Sequence, residues 1–337
     1  MIDDIGTTVR LFRLSDVLAS TDSRLRRGDA ATLRPWATGF DPLDGYLSGG
    51  LRPGELTLLG GPQGLGKTTF ALQVARQALS DGHQVLYVSF EHDAVTLLER
   101  LLAAEAGERA GQDAVSLKAV RALVEGDGTA MSLSDKLAET PGGAVALSAI
   151  SGDLERLHVL RGGVRTETSE IAAAAATIAD RDGRHPLVVV DYVQKVTTGI
   201  ATYDEEQRMA RVAGELKDLA LTVEAPVLAI SASDSLGIAE GRRLRTQHLR
   251  GASALAYEAD AVLVLNEKFD VVARHHLVYG AANTERFRNY AVLTIEKNRG
   301  GMSWVDMEFR KRFDQARYER TGDLVAEQLV DTRVFTE

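Results

Sequence analysis

The sequence contains no cysteine and no long apolar segment, and each absence excludes a class of protein. Without cysteine the chain cannot form disulfides, use a thiolate nucleophile or hold zinc through cysteine. It has no run of about 18 apolar residues, so no membrane-spanning helix is expected. Residues 1–13 lack the basic start and apolar run of a signal peptide. Together these absences predict a cytoplasmic protein without a membrane partner.

Basic residues are fewer than acidic residues, because the sequence contains 39 lysines and arginines against 48 aspartates and glutamates, which gives a net charge of −9. Proteins that coat nucleic acid over their whole surface are usually basic, so that class is excluded. A narrow basic channel within an acidic assembly is compatible with this balance, because binding depends on local charge.

A helix-breaking segment separates the N-terminal residues from the rest of the chain. Apolar and polar residues alternate at helical spacing over Phe12–Arg27, and Gly28–Pro35 ends that pattern. We therefore predict an arm over residues 1–35, a body over 36–320 and a tail over 321–337. The alternative for the arm is a terminal helix that packs on its own domain.

Strand and helix patterns alternate through the first part of the body. The predicted strands are Leu56–Gly60, Gln84–Phe90, Leu157–Leu160, Leu187–Asp191 and Pro226–Ser231. This order predicts an α/β fold, with a mostly parallel central sheet flanked by helices. The stretch 107–152 is predicted to be a surface insertion, helical in part.

After Asp260 the helical patterns fade, so we expect antiparallel strands towards the C-terminus. Their predicted bounds are Ala261–Asn266, His275–Gly280, Tyr290–Glu296 and Trp304–Phe309. His275 and His276 lie within an unusual stretch, 269–287. Without nearby carboxylate ligands, the pair is interpreted as packing or surface residues rather than metal ligands.

A phosphate-binding loop lies between the first strand and its helix, because the pattern G-x-x-x-x-G-K-[ST] occurs there. The predicted ATP-binding residues are Gly61, Pro62, Gln63, Gly64, Leu65, Gly66, Lys67, Thr68 and Thr69. Glycines let backbone N–H groups turn towards phosphate oxygens, and the helix N-terminus adds positive charge. Lys67 is expected to contact the β- and γ-phosphates of ATP, and Thr68 to bind Mg²⁺.

Two carboxylates follow later strands. Asp191 ends an aliphatic strand, where it can hold the Mg²⁺ shell beside Thr68, although such a residue is often a turn or cap. Glu91 ends the strand that we expect to lie next to the phosphate-loop strand. It either polarises the attacking water or caps the helix that starts near Asp93.

Further motifs in this order resemble a known family. They are Thr38–Asp44, Ser89–Glu91, Asp191–Gln194, Leu216–Ala220, Leu249–Arg250 with Glu258–Asp260, and Glu296–Gly301. With the phosphate loop, they resemble the RecA-like ATPase domain of DnaB-type hexameric replicative helicases, within the RecA/KaiC superfamily.

The resemblance implies a role for each matching residue. Glu91 would activate water, and Gln194 would sense the γ-phosphate. Lys297 and Arg299 would reach the ATP of the neighbouring subunit, although composition alone favours a solvated hairpin tip. Arg250 would contact a phosphate of single-stranded DNA. The helix over Leu14–Arg26 would pack on the adjacent subunit of a hexameric ring.

The chain also departs from the family pattern. The N-terminal helical domain of those helicases does not precede the arm, which makes primase docking doubtful. Ser231–Ser235 replaces the family's Ser-Gln-Leu-Asn-Arg. The following loop contains three cations, Arg242, Arg243 and Arg245. They either form a basic patch that binds nucleic-acid phosphates or belong to an ordinary solvated loop.

Two functions are therefore open. The first is an ATP-driven, ring-forming helicase or translocase on single-stranded DNA. The second is a RecA/KaiC-like regulatory or recombination ATPase that assembles with ATP without unwinding DNA.

Overall fold

A computed structural model describes residues 11–28, 34–126, 128, 130–200, 204–233, 242–278 and 281–332. The chain divides into two compact units, Met1–Arg34 and Pro35–Glu337. The first unit contains helix α1, Leu14–Arg26, which has no buried residue. Among the described residues, no helix is both long and apolar enough to cross a membrane.

The second unit is built on one sheet. Its strands are β1 Leu56–Gly60, β2 Val85–Ser89, β3 Leu157–Arg161, β4 Leu187–Asp191, β5 Val227–Ile230, β6 Ala261–Glu267, β7 Tyr290–Asn298, β8 Val305–Arg312, β9 Arg317–Tyr318 and β10 Asp323–Leu324. The strand order is β10-β8-β7-β6-β1-β5-β4-β2-β3, and β9 pairs with β8. Every pair from β6 to β3 is parallel, whereas β7, β8, β9 and β10 pair antiparallel. The predicted fold class is confirmed.

Helices cover both faces of the parallel part. The helices described in the second unit are α2 Leu43–Tyr46, α3 Lys67–Ser80, α4 Ala94–Ala110, α5 Leu117–Glu125, α6 Leu133–Ala138, α7 Gly143–Ser151, α8 Thr168–Asp182, α9 Glu205–Val223, α10 Ala252–Glu258, α11 Lys268–Val271, α12 His275–Val278 and α13 Ala281–Arg288. Every residue of β1, β2 and β4 is buried, as expected for parallel strands between two helical layers.

Two details of the predicted strands are wrong. Strand β2 does not lie beside β1, because β5 and β4 separate them. His275–Val278 is helix α12 rather than a strand. Strand β6 already has β1 and β7 as neighbours, so the residues between β6 and β7 cannot join the sheet there. His276 instead packs against the tail, where its Nε2 accepts a hydrogen bond from the Gln328 amide at 3.1 Å.

The stretch between α4 and β3 forms a small core of its own. Helices α5, α6 and α7 pack with α4 around a second apolar cluster, which includes Leu102, Val120, Leu137 and Ile150. This stretch is helical through much of its length and reaches the edge of the site described next.

Candidate nucleotide-binding site

The phosphate loop connects the end of β1 to the start of α3. Gly66 has a φ of 72°, a left-handed conformation that favours glycine, and a Cβ there would lie 2.8 Å from the ring of Phe313. Lys67 Nζ donates hydrogen bonds to the carbonyls of Gly61 (2.9 Å) and Pro62 (2.8 Å). Burial lowers the pKa of Lys67, while the charges of Asp191 and Glu91 oppose that shift. The loop thus holds a cation close to two carboxylates.

A cavity of about 620 Å³ opens above this loop. Its walls include Lys67, Thr68, Glu91 and Asp191, which lie at or beyond the carboxyl ends of β1, β2 and β4. The carboxyl ends of parallel strands meet at one edge of a sheet, which explains why residues so distant in sequence converge. The structure therefore brings together the predicted phosphate-binding, metal-binding and water-activating residues.

Asp191 lies at the inner wall of the cavity and is almost fully buried. The hydroxyl of Tyr87 donates a hydrogen bond to Asp191 Oδ2 at 2.9 Å. Burial raises the pKa of Asp191, and the hydroxyls of Thr68 and Tyr87 counteract that shift. Asp191 thus lines the cavity together with Thr68, and Tyr87 holds its carboxylate from the sheet side.

Glu91 lies at the cavity wall, two residues beyond the end of β2. The alternative role that its position suggested, capping α4, belongs to Asp93. The Asp93 carboxylate accepts a hydrogen bond from the Thr96 amide at 2.8 Å and is the N-cap of that helix. The Glu91 side chain is exposed and borders the cavity.

Gln194 connects the ends of β4 and β5 just behind the cavity. Its Nε2 donates to Ser231 Oγ at 2.8 Å and to the Arg250 carbonyl at 2.9 Å. Its Oε1 accepts from the Ala232 amide at 3.1 Å. Since Ala232 borders the cavity, Gln194 links the cavity wall to the backbone that carries Arg250.

Lys297 and Arg299 do not line the cavity of their own chain. Lys297 Nζ donates to the carbonyls of Ala256 (2.7 Å) and Ala259 (2.6 Å), at the C-terminal end of α10. Arg299 pairs with Asp260 at 3.0 Å and donates to the Tyr257 carbonyl at 2.9 Å. Burial lowers the pKa of Lys297, and the charge of Arg299 lowers it further. Both cations are anchored rather than freely solvated.

Arg250 lies on a groove of about 690 Å³ that Glu205 and Glu206 also line. Its Nη2 donates a hydrogen bond to Glu205 Oε2 at 2.8 Å, and its Nε lies 2.7 Å from Oε1 of the same carboxylate. Arg250 is thus ion-paired with Glu205, although its side chain is 55% exposed.

Two of the three arginines in the predicted basic patch pair with carboxylates of the same chain. Arg243 is 4% exposed and pairs with Asp306. Arg245 pairs with Glu296 at 2.9 Å and with Asp331 at 2.6 Å. These carboxylates belong to β7, β8 and the tail, so the arginines join parts of the fold instead of facing a ligand. Arg242 is exposed, and residues 234–241 of the same loop lie outside the described residues.

Other cavity residues were not predicted from the sequence. Arg100 on α4 and Arg121 on α5 line the wall, so the insertion contributes a cation to the site. Burial lowers the pKa of Arg100, and the charge of Arg121 lowers it further. Phe313 borders the same cavity. A helical position in the weakly patterned 107–152 stretch carried no signal that would have identified Arg121.

Tyr87 was not predicted as a site residue either, although its position relative to Asp191 in the paired strands β2 and β4 indicates that it can reach the site. It precedes Ser89 by two residues on β2, and Ser89 pairs with Asp191 on β4. Residues two apart on a strand face the same side, so a tyrosine there can reach the end of the neighbouring strand. Burial raises the pKa of Tyr87 well above its usual range, and the Asp191 charge adds to that shift.

The model of the DnaB-like helicase C-terminal domain family matches residues 36–318. The replicative DNA helicase DnaB of Helicobacter pylori is 25% identical over 265 residues, which cover 77% of this chain and 50% of that protein. The DNA repair protein RadA of Mycobacterium tuberculosis is 48% identical over 66 residues, which cover 20% of this chain and 14% of RadA. The chain thus spans about half the length of the DnaB proteins it matches, and much less of RadA.

Two solved structures have a similar fold. A DnaB-like replicative helicase, solved together with a study of its interactions with primase, superposes with a TM-score of 0.70 at 16% identity, and the match covers 91% of this chain and 68% of that chain. A solved ATPase domain superposes with the same TM-score of 0.70, and that match covers 92% of this chain and 99% of the domain. At this identity the likeness concerns the RecA-like fold alone.

Proposed function

This chain belongs to the DnaB-like helicase C-terminal domain family, and on that premise we propose that it is an ATP-hydrolysing, ring-forming motor that moves along single-stranded DNA. The observation that carries the proposal is the convergence of Lys67, Thr68, Glu91 and Asp191 on one cavity. These residue types are the parts that P-loop ATPases require for phosphate binding, metal binding and water activation.

The donor set at Thr68 and Asp191 fits Mg²⁺. A hydroxyl and a carboxylate supply oxygen ligands, which this hard cation prefers, and the two residues line the same cavity. Bound there, Mg²⁺ would neutralise charge on the β- and γ-phosphates. The chain itself would hold the phosphates through Lys67 and the loop amides.

Glu91 is proposed to orient and polarise the attacking water. A carboxylate at the cavity wall can accept a proton from that water when the γ-phosphate lies over Lys67. Asp93 caps α4, which leaves Glu91 without that competing structural role.

Lys297 and Arg299 are proposed to complete the site of an adjacent subunit in a homohexameric ring. Their separation from the cavity of their own chain supports action across an interface. A cation supplied in this way would stabilise transition-state charge and make hydrolysis depend on assembly. Helix α1 would contribute to the same assembly through its exposed apolar residues, which include Leu14 and Leu18.

Arg250 is proposed to contact a DNA phosphate. Gln194 hydrogen bonds to the backbone of Arg250 and to the cavity wall, so it offers a path from the nucleotide to the DNA contact. Of the arginine patch, Arg242 alone stays a candidate DNA contact, since it is exposed.

The experiment that tests the proposal is strand displacement with an ATPase control. We expect ATP-dependent unwinding of a tailed duplex and turnover that rises with single-stranded DNA. Turnover that rises with DNA in the absence of unwinding would favour the second candidate, a RecA/KaiC-like recombination ATPase. The 48% identity to RadA over 66 residues favours that candidate. So does Ser231–Ser233 after β5, which departs from the Ser-Gln-Leu-Asn-Arg pattern of the helicase family that the sequence resembles.

A further inference from the structure

Tyr87 is a fully buried tyrosine in the centre of β2, a strand whose five residues are all buried. A buried tyrosine hydroxyl needs a hydrogen-bond partner. Its partner is the carboxylate of Asp191, with 2.9 Å between the hydroxyl and Oδ2. The tyrosine therefore connects the apolar interior of the sheet to the wall of the nucleotide cavity.

The position of this hydroxyl is set by the core. Tyr87 pairs with Val189 on β4, so the strand register places its ring two residues before Asp191. Packing on all sides fixes the ring, and a fixed ring fixes its hydroxyl. Asp191 consequently has a donor on the sheet side, Tyr87, and lines the nucleotide cavity together with Thr68.

We propose that Tyr87 is a positioning residue for Mg²⁺, whose hydroxyl holds the Asp191 carboxylate in the orientation that meets Thr68. The inference rests on the proposed Mg²⁺-dependent ATP hydrolysis. A carboxylate ligand that loses an outer hydrogen bond turns more freely and leaves a buried oxygen without its donor. Tyr87 would act through Asp191 without touching the nucleotide.

The test is Tyr87→Phe, which keeps the ring and removes the hydroxyl. Binding of a fluorescent ATP analogue is measured across a Mg²⁺ titration and again in EDTA. The half-saturating Mg²⁺ concentration should rise at least about tenfold, as for other outer-shell partners of metal ligands. Analogue binding in EDTA should be unchanged, because Lys67 and the loop amides are intact. Raising Mg²⁺ should restore much of the lost turnover.

Thr294→Val provides a matched control. Thr294 is also fully buried, and its hydroxyl donates to a carboxylate, Asp306 Oδ1, at 2.7 Å. It lies on β7, away from the cavity. This variant should lose thermal stability as Tyr87→Phe does and keep the parent's Mg²⁺ requirement. If Tyr87→Phe does not fold, Tyr87→Met removes the same hydroxyl with a flexible apolar side chain.

Two results would overturn the inference. One is a Tyr87→Phe variant with the parent's Mg²⁺ requirement, and the other is an equal loss of binding with Mg²⁺ and in EDTA, which would indicate a purely structural tyrosine. Failure of the proposed function looks different, because the parent chain itself would then show no Mg²⁺-dependent nucleotide binding.

Discussion

The two halves of the sheet keep their charged residues in different places. In the parallel half, the charged residues Lys67, Glu91 and Asp191 lie at or beyond strand ends and converge on the cavity. Around the antiparallel strands, charged residues are buried in the body of the fold, where Lys268 and Glu308 pair with each other. The charges at the cavity are available to a ligand, whereas Lys268 and Glu308 satisfy each other.

This difference predicts that substitutions in the two halves fail in different ways. Removing a charge at the cavity should abolish chemistry and leave the fold stable. Removing one partner of the buried Lys268–Glu308 pair should destabilise the fold, because the other partner is left buried and unpaired. The following variants test this contrast.

Lys67→Ala should have the largest effect. Loss of the cation that neutralises the β- and γ-phosphates should reduce turnover by at least about a hundredfold and weaken nucleotide binding. The melting temperature without nucleotide should stay close to that of the parent. Steady-state ATPase assays and thermal denaturation measure both quantities, and near-normal turnover would refute the assignment.

Glu91→Gln should have the next largest effect. The phosphate-binding loop remains, so ATP should still bind, but turnover should fall by about 10²–10⁴-fold because general-base catalysis is lost. Asp93→Asn is the neighbouring control, since it retains a capping oxygen for α4. If Glu91→Gln stays within a few-fold of the parent, the base lies elsewhere.

Lys268→Met tests the antiparallel half. The Lys268 side chain is fully buried, and its Nζ contacts Glu308 and also Glu327, at 2.7 Å. Its removal should lower the free energy of unfolding by about 3–5 kcal/mol, because Glu308 is left buried. Urea denaturation measures this change. Turnover per folded molecule should be preserved below the transition, and its loss there would break the contrast between the halves.

Glu205→Gln should have the smallest effect. Weakening an ion pair that is partly exposed should free Arg250 for a phosphate and raise the affinity for single-stranded DNA by about twofold to fivefold. Fluorescence anisotropy with a labelled oligonucleotide measures the change. Glu206→Gln is the matched control, since Glu206 accepts a hydrogen bond from Ser253 instead. Weaker binding by Glu205→Gln would contradict a DNA role for Arg250.

The parts of the fold that could be predicted from sequence are those with local signals. The phosphate loop and the buried strands around it are local patterns, a fixed spacing and an aliphatic run, and both occur as expected. The order of the strands in the sheet could not be predicted from local sequence patterns. Strand β2 follows β1 in sequence, yet β5 and β4 lie between them, because long connections cross over the sheet.

The partners of two arginines in the predicted patch could not be identified from local sequence either. The carboxylates that pair with Arg243 and Arg245 lie 51 to 86 residues away in sequence. Nothing in the local composition distinguishes an arginine that is available to bind a phosphate from one that is paired with a carboxylate of the same chain. The contact of Tyr87 with Asp191 could not be predicted locally for the same reason, because it forms only when β2 and β4 pair in register.

The central claim is that the parallel half binds ATP while Arg299, at the end of the antiparallel strand β7, completes the site of the next subunit. The most direct measurement is the ATPase activity of Arg299→Ala, alone and mixed with Lys67→Ala. Alone, Arg299→Ala should bind ATP and lose most of its turnover. In mixtures shown to co-assemble, activity should partly return, because some interfaces then combine an intact phosphate loop with an intact arginine. Turnover at the parent's rate by Arg299→Ala alone would contradict the account.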